Sequence, residues 1–209
     1  MDINQEKIIF ANGDSFTFGD ELKTPYSGAW PTKLAEMLKQ QVINFGRGGA
    51  ANNRIIETTK NFINDLSRTA LYNGVYEPHL DFVIIQWTSY LRLGPKETVP
   101  RNIVYGEKEE AYLLDKYFVQ VAEMQDYLDS RRIPYLMFNA FDNEKAIPQS
   151  NSKFKELVDD KYFIGWPDEA IVNWVYGLPH GPNGHPLEEA HIKIAKIVHD
   201  NIRTKLRVS

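Results

Sequence analysis

The chain has 209 residues, a formal net charge of −4, 43% hydrophobic and 12% aromatic residues, and no cysteine. A chain of this length buries a core without covalent staples, and it is too apolar and too aromatic to stay disordered. Asp and Glu number 28 against 24 Lys and Arg, which disfavours a sequence-independent nucleic-acid binder. Without cysteine there is no disulfide framework, no thiolate nucleophile and no Cys-based zinc site.

The first residues, Met1 to Lys7, lack the basic-then-apolar pattern of a secretory leader. No apolar run approaches the ~20 residues of a membrane span. The expectation is a soluble cytoplasmic protein, or a virion or lysate protein made in a cytoplasm. Lys7 to Ala11 is a short apolar run rich in β-formers, stopped by Asn12-Gly13-Asp14, and reads as a buried central strand. A helix follows from Trp30 to Gln41, with Pro31 near its first turn and Leu34, Met37 and Leu38 on one face. Val42 to Phe45 is a second strand, broken by Gly46-Arg47-Gly48-Gly49.

Ile55, Ile56, Thr59, Phe62, Ile63 and Leu66 recur at helical spacing between Asn52 and Tyr72. Asp81 to Trp87 is a third strand, apolar on both faces, followed by a loop around Gly94-Pro95. Lys108 to Arg131 is a long amphipathic helix and Ile133 to Ala140 a fourth strand. Lys145 to Gly184 is irregular, with a candidate short strand at Tyr162-Phe163-Ile164. Pro186 to Leu206 reads as a closing helix with Glu188 and Glu189 in its first turn, as the helix dipole favours. No repeat or long linker divides the chain, so one domain over residues 1–209 is expected. Strand–helix alternation implies a parallel sheet covered on both faces. In such sheets chemistry belongs at the carboxyl ends of the strands.

Four blocks fall at those ends. Ser15 follows the first strand, where turn N–H groups can face an anion, but a serine hydroxyl needs a base and oxyanion donors to react. The stretch is not a Gly-x-Ser-x-Gly elbow, because position 17 is Thr. Gly46-Arg47-Gly48-Gly49 permits close backbone approach and matches no nucleotide-binding fingerprint. Thr88 and Ser89 end the third strand; their hydroxyls either reach a substrate or bond the local backbone. Pro186 at a first helical position would set His185 at the N-cap, and an imidazole shuttles protons near neutral pH. His191 falls inside the helix, where packing or surface placement fits better. The spacings of His180, His185 and His191 match no zinc signature.

Together the blocks resemble the SGNH/GDSL hydrolase family. Ile8-Ile9-Phe10-Ala11-Asn12-Gly13-Asp14-Ser15-Phe16-Thr17 resembles its first block, with Ser15 at the nucleophile position. Ala29-Trp30-Pro31 through Leu34-Ala35 resembles the segment that often follows. Asn44-Phe45-Gly46-Arg47-Gly48-Gly49 resembles the second block, with Gly49 at the oxyanion glycine, and His185-Pro186 with Ala190-His191 resembles the last. The resemblance implies a flavodoxin-like three-layer α/β/α sandwich with a central parallel sheet of about five strands. It implies a serine ester hydrolase that needs no cofactor and acts through an acyl-enzyme on short acyl or acetyl esters, including O-acetylated carbohydrate. Its partners are then small-molecule or carbohydrate esters, with no nucleic acid and no membrane span.

Two positions depart from the family. The third block's usual Asn is absent, so Ser89 or Thr88 substitutes, or the oxyanion has backbone donors only. The Asp expected three residues before the histidine is Pro182, leaving Asn183, a loop carbonyl or a remote acid such as Asp168 to orient the imidazole. These departures keep two alternatives open: a non-hydrolytic binding or accessory protein on the same fold, or an acyltransferase using the same serine. Trp166 and Trp174 would suit a sugar face, though core burial suits each better.

Overall fold

The computed structural model describes residues 7–73, 79–92, 106–141 and 146–206. The expected loop at Gly94-Pro95 lies outside them. Four strands, β1 (Lys7–Asn12), β2 (Gln41–Asn44), β3 (His79–Trp87) and β4 (Tyr135–Asn139), pair in parallel in the order β2-β1-β3-β4. The helices are α1 (Ser15–Phe18), α2 (Trp30–Leu38), α3 (Asn52–Asn73), α4 (Glu107–Ser130), α5 (Ile171–Trp174) and α6 (Glu188–Asn201).

Alternation along the strands builds two cores. Ile9, Ala11, Phe82, Ile84, Leu136 and Phe138 face Trp30 and Leu34 of α2 and Ile194 and Val198 of α6. Phe10, Val83, Ile85, Trp87, Tyr135 and Met137 face Ile55 and Ile63 of α3 and Phe118, Val121 and Met124 of α4. These side chains are almost wholly buried, and each contributes ~1.5–3 kcal/mol relative to exposure. The result is the expected α/β/α sandwich, a flavodoxin-like order with four strands rather than about five.

The missing strand has a local cause. Phe163 and Ala170 each make one isolated parallel bridge, to Met137 and Asn139 of β4. Between them Gly165 takes φ 76, and Pro167 has no N–H to donate, so no ladder forms. The candidate strand at 162–164 shrinks to the single Phe163 bridge. Trp166 packs on Phe118 and Phe163, and Trp174 packs on Phe138, so both serve the cores. The closing helix also starts later than expected: Leu187 is the N-cap of α6 and a π-helical turn, Ile202–Leu206, ends it.

Chain order sets the site. After β1 the chain leaves for α2 on one face; after β3 it leaves for α4 on the other. That change of face marks the carboxyl ends of β1 and β3 as the place for a crevice. His191 of α6 locks one wall. Its Nδ1 accepts the Trp30 N–H at the start of α2 (3.0 Å), filling a donor that no local cap fills.

Candidate active site

Asp14 caps α1: its Oδ1 accepts the Phe16 N–H at 3.0 Å. Its Oδ2 accepts the Thr88 hydroxyl at 2.6 Å and Arg92 Nη1 at 3.1 Å. The carboxyl is wholly buried. Burial raises it above the ordinary carboxylate range, against the pull of Thr88, the Phe16 N–H and Arg92. Asn52 fixes the partner strand end, accepting the Thr88 N–H at 2.9 Å and donating to the Thr88 carbonyl at 3.2 Å. Ser15 follows Asp14 as the first residue of α1 and is 5% exposed. Among the described residues its hydroxyl makes no hydrogen bond.

α1 closes at Gly19 in the left-handed region, and the turn runs on to Asp20 and Glu21. Glu21 also sits at φ 67, a conformation that costs a non-glycine residue ~1–2 kcal/mol. The turn meets a loop from the far end of the chain. In that loop Gly181 N–H donates to the His185 carbonyl, Gly184 N–H donates to the Gly181 carbonyl, and His180 and Pro186 form an antiparallel bridge. His185 therefore sits in a hairpin ahead of α6, not at its N-cap.

Glu21 gathers this hairpin. Its Oε2 accepts the His185 N–H at 3.0 Å and lies 2.9 Å from His185 Nδ1; its Oε1 accepts Asn183 N–H at 2.9 Å and Asn183 Nδ2 at 2.8 Å. Partial desolvation works against the charge, but the N–H donors of Asn183 and His185 and the two side chains outweigh it. The carboxyl falls to about 2. An ionised Glu21 can only accept, so neutral His185 carries its proton on Nδ1 and leaves the Nε2 lone pair open. That Nε2 stands 3.9 Å from Asp20 Oδ2. Gly181 allows the approach, because a Cβ there would stand 2.7 Å from the Glu21 carboxyl carbon. The His185 ring also meets the Phe16 ring edge-on, centroids 5.8 Å apart, so the hairpin reaches the residue next to Ser15.

The remaining sequence candidates divide. Gly49 is exposed at φ 71 with open space on its Cβ side, and its loop runs beside the serine turn, Arg47 N–H donating to the Gly13 carbonyl. Neither the Gly49 nor the Ser15 N–H donates to protein among the described residues. Ser89 Oγ accepts the Leu91 N–H at 3.3 Å, which leaves its own O–H proton to donate. The Thr88 hydroxyl is spent on Asp14. Asn183 meets Glu21 rather than the imidazole. Asp168 is exposed and makes no hydrogen bond or ion pair with His185; the residue on Nδ1 is Glu21. Nothing local announces Glu21, which lies 164 positions from His185. The acidic pair Asp20-Glu21 just after the serine turn is the one sequence cue. No group of three metal-ligating side chains occurs among the described residues, and no helix among them is long and apolar enough to cross a membrane.

No family model matches the chain, and no curated protein matches it. Solved structures do. An esterase from Pseudoalteromonas sp. superposes with a TM-score of 0.57 at 12% identity, covering 96% of this chain and 99% of that one. An acetyl xylan esterase gives 0.55 at 14% identity, with 94% and 99% covered. A protein assigned to the G-D-S-L lipolytic family, from Desulfitobacterium hafniense DCB-2, gives 0.51 at 15% identity, with 93% and 98% covered. The chain thus has the fold of the GDSL/SGNH hydrolases.

Proposed function

We propose that the protein is a serine ester hydrolase of the SGNH type, a single domain with Ser15 as nucleophile and His185 as general base, acting on short acyl or acetyl esters of carbohydrate. The observation that carries this is the Glu21 carboxylate on His185 Nδ1, which leaves Nε2 a proton acceptor beside the serine turn. A lone serine followed by a capped turn would need no such imidazole. The orienting acid that the sequence lacks at Pro182 comes from the turn after Ser15 instead.

The chemistry then runs in two halves. Ser15 Oγ attacks the ester carbonyl carbon as its proton passes to His185 Nε2. The carbonyl oxygen becomes an oxyanion, and the unpartnered Ser15 and Gly49 N–H groups are its donors. Collapse breaks the C–O bond to the alcohol, which takes the proton from Nε2 and leaves an acyl-serine. Water then attacks that ester, gives a proton to Nε2, and collapse releases the acid as Ser15 regains the proton. Glu21 stays ionised throughout and stabilises the imidazolium. The Ser89 O–H, whose oxygen accepts the Leu91 N–H, is a further donor for the oxyanion. The absence of a Ser15–His185 hydrogen bond is compatible with a site that tightens only around substrate.

The test is turnover of p-nitrophenyl acetate together with labelling by a fluorophosphonate. The wild type is expected to hydrolyse the ester and to take one label on Ser15. Ser15→Ala is expected to lose the label and at least ~10⁴-fold in kcat. Equal rates in the two proteins would remove Ser15 from the mechanism. One observation favours a second reading: Asp20 Oδ2 stands 3.9 Å from His185 Nε2, whereas Ser15 makes no hydrogen bond to it. On that reading the protein binds its ligand without cleaving it. The wild type would then resist the fluorophosphonate while an O-acetylated sugar still raised its Tm. Transfer of the acyl group to an added sugar in excess of hydrolysis would instead mark an acyltransferase.

A further inference from the structure

Beside His185 lies a cleft of about 640 Å³, walled by Phe18, Asp20, Tyr26, Phe45, Arg47 and Arg54 among others. It adjoins the candidate site through two contacts. Asp20 in its wall stands 3.9 Å from His185 Nε2. Arg47 N–H bonds the Gly13 carbonyl, two residues before Ser15.

Two properties of the wall call for a ligand. Tyr26 and Phe45 are 48% and 44% exposed, although most large aromatics among the described residues are buried or half-buried. Phe45 packs one side on Phe10 and Phe62, Tyr26 packs on Phe18, and each leaves ring surface to the cleft. Arg47 and Arg54 make no ion pair among the described residues. By contrast Arg92, on the other side of the serine turn, is committed to Asp14. Two guanidinium groups against the single Asp20 carboxylate give the cleft an excess of positive charge in a protein of net charge −4. Aromatic walls with a few convergent charged groups are the make-up of a ligand pocket, and a guanidinium fork matches the oxygens of a carboxylate or phosphate.

We infer that this cleft selects an anionic substrate: an acyl ester on a sugar that also carries a carboxylate or a phosphate, with the sugar ring on Tyr26 and Phe45 and the anion on Arg47 and Arg54. The inference rests on the hydrolase reading for the reacting ester and deepens it by naming the substrate's second group.

The experiment uses the full chain carrying Ser15→Ala, titrated calorimetrically with three probes. They are a methyl O-acetylglucuronoside, an O-acetylated glucose 6-phosphate and an uncharged methyl O-acetylglucoside. At least one anionic probe is expected to bind about tenfold tighter than the neutral one, with the preference shrinking as salt rises. The better of the two identifies the anion. Adding Arg47→Gln and Arg54→Gln is expected to bring that ratio close to one, while Arg47→Lys and Arg54→Lys retain part of it; an unchanged Tm checks folding. Equal affinity for all three probes, no binding of any, or a preference that survives the double Gln variant would overturn the inference. The same probes offered to the protein with Ser15 intact separate the two claims. Anion preference without ester cleavage sinks the hydrolase and leaves the cleft. Cleavage without preference does the reverse.

Discussion

Two carboxyl groups flank Ser15, one residue before it and six after it, and they are held in opposite ways. Asp14 has a cation, a hydroxyl and an N–H around it, yet its carboxyl lies above the ordinary range because it is cut off from water. Glu21 has no Lys or Arg partner among the described residues, yet it falls to about 2 because N–H donors converge on it near the surface. Desolvation, not the formal charge of the neighbours, separates them. The buried one therefore acts as a strut between β1 and the end of β3. The outer one holds the imidazole of His185, whose side chain stays 21% exposed.

That contrast can be broken by activity and stability pulling apart. Glu21→Gln is the largest expected effect on rate: the Nδ1 acceptor loses its charge, and kcat for an acetyl ester should fall by about 10³, while the urea midpoint falls less than in Asp14→Ala. A rate within threefold of wild type would show that His185 does not depend on Glu21. Asp14→Ala should do the opposite to stability. It strands Arg92 and Thr88 and removes the α1 cap, costing about 3 kcal/mol in urea unfolding. A loss below ~0.5 kcal/mol would mean that the buried pair is not a strut.

Histidines extend the contrast. His191 is wholly buried, and burial lowers it from 6.5 to about 4. The unfolded chain then binds the proton first, so this contribution is whole above pH 6.5 and drains away as pH falls toward 4. Its full size is about 3 kcal/mol. Unfolding curves at pH 7 and pH 4.5 should show most of that loss, and His191→Gln should flatten it. Glu21 works in a lower window: its contribution is present above 4.5 and is lost as pH falls toward 2. The smallest effect is expected from Gly181→Ala. The new methyl crowds the Glu21 carboxyl, shifting the imidazole and lowering kcat about tenfold. An unchanged rate would show that the hairpin yields without moving His185.

Much of the frame was legible from the chain alone. All four strands announced themselves as apolar runs, β1 and β2 with Asn-Gly-Asp and Gly-rich turns at their ends, and α3 by its spacing of Ile55, Thr59, Phe62 and Ile63. The fifth strand failed because an apolar triplet at 162–164 carries no sign of the interruption that follows at Gly165. The blocks bearing Ser15, Gly49 and His185 were visible because each sits on a short local signal. Glu21, Asn52 and Arg92 were not, since each acquires its role from a partner dozens of residues away. A polar side chain in a turn has no periodicity to betray it, so only the folded chain could pair Glu21 with His185.

The Glu21 carboxylate holds the backbone of the 181–185 hairpin and its imidazole with the same two oxygens. It is a clasp shared between a loop and an imidazole. The loop cannot swing out with His185 still aligned, nor can the ring turn away without loosening the loop, so opening and misalignment are a single motion.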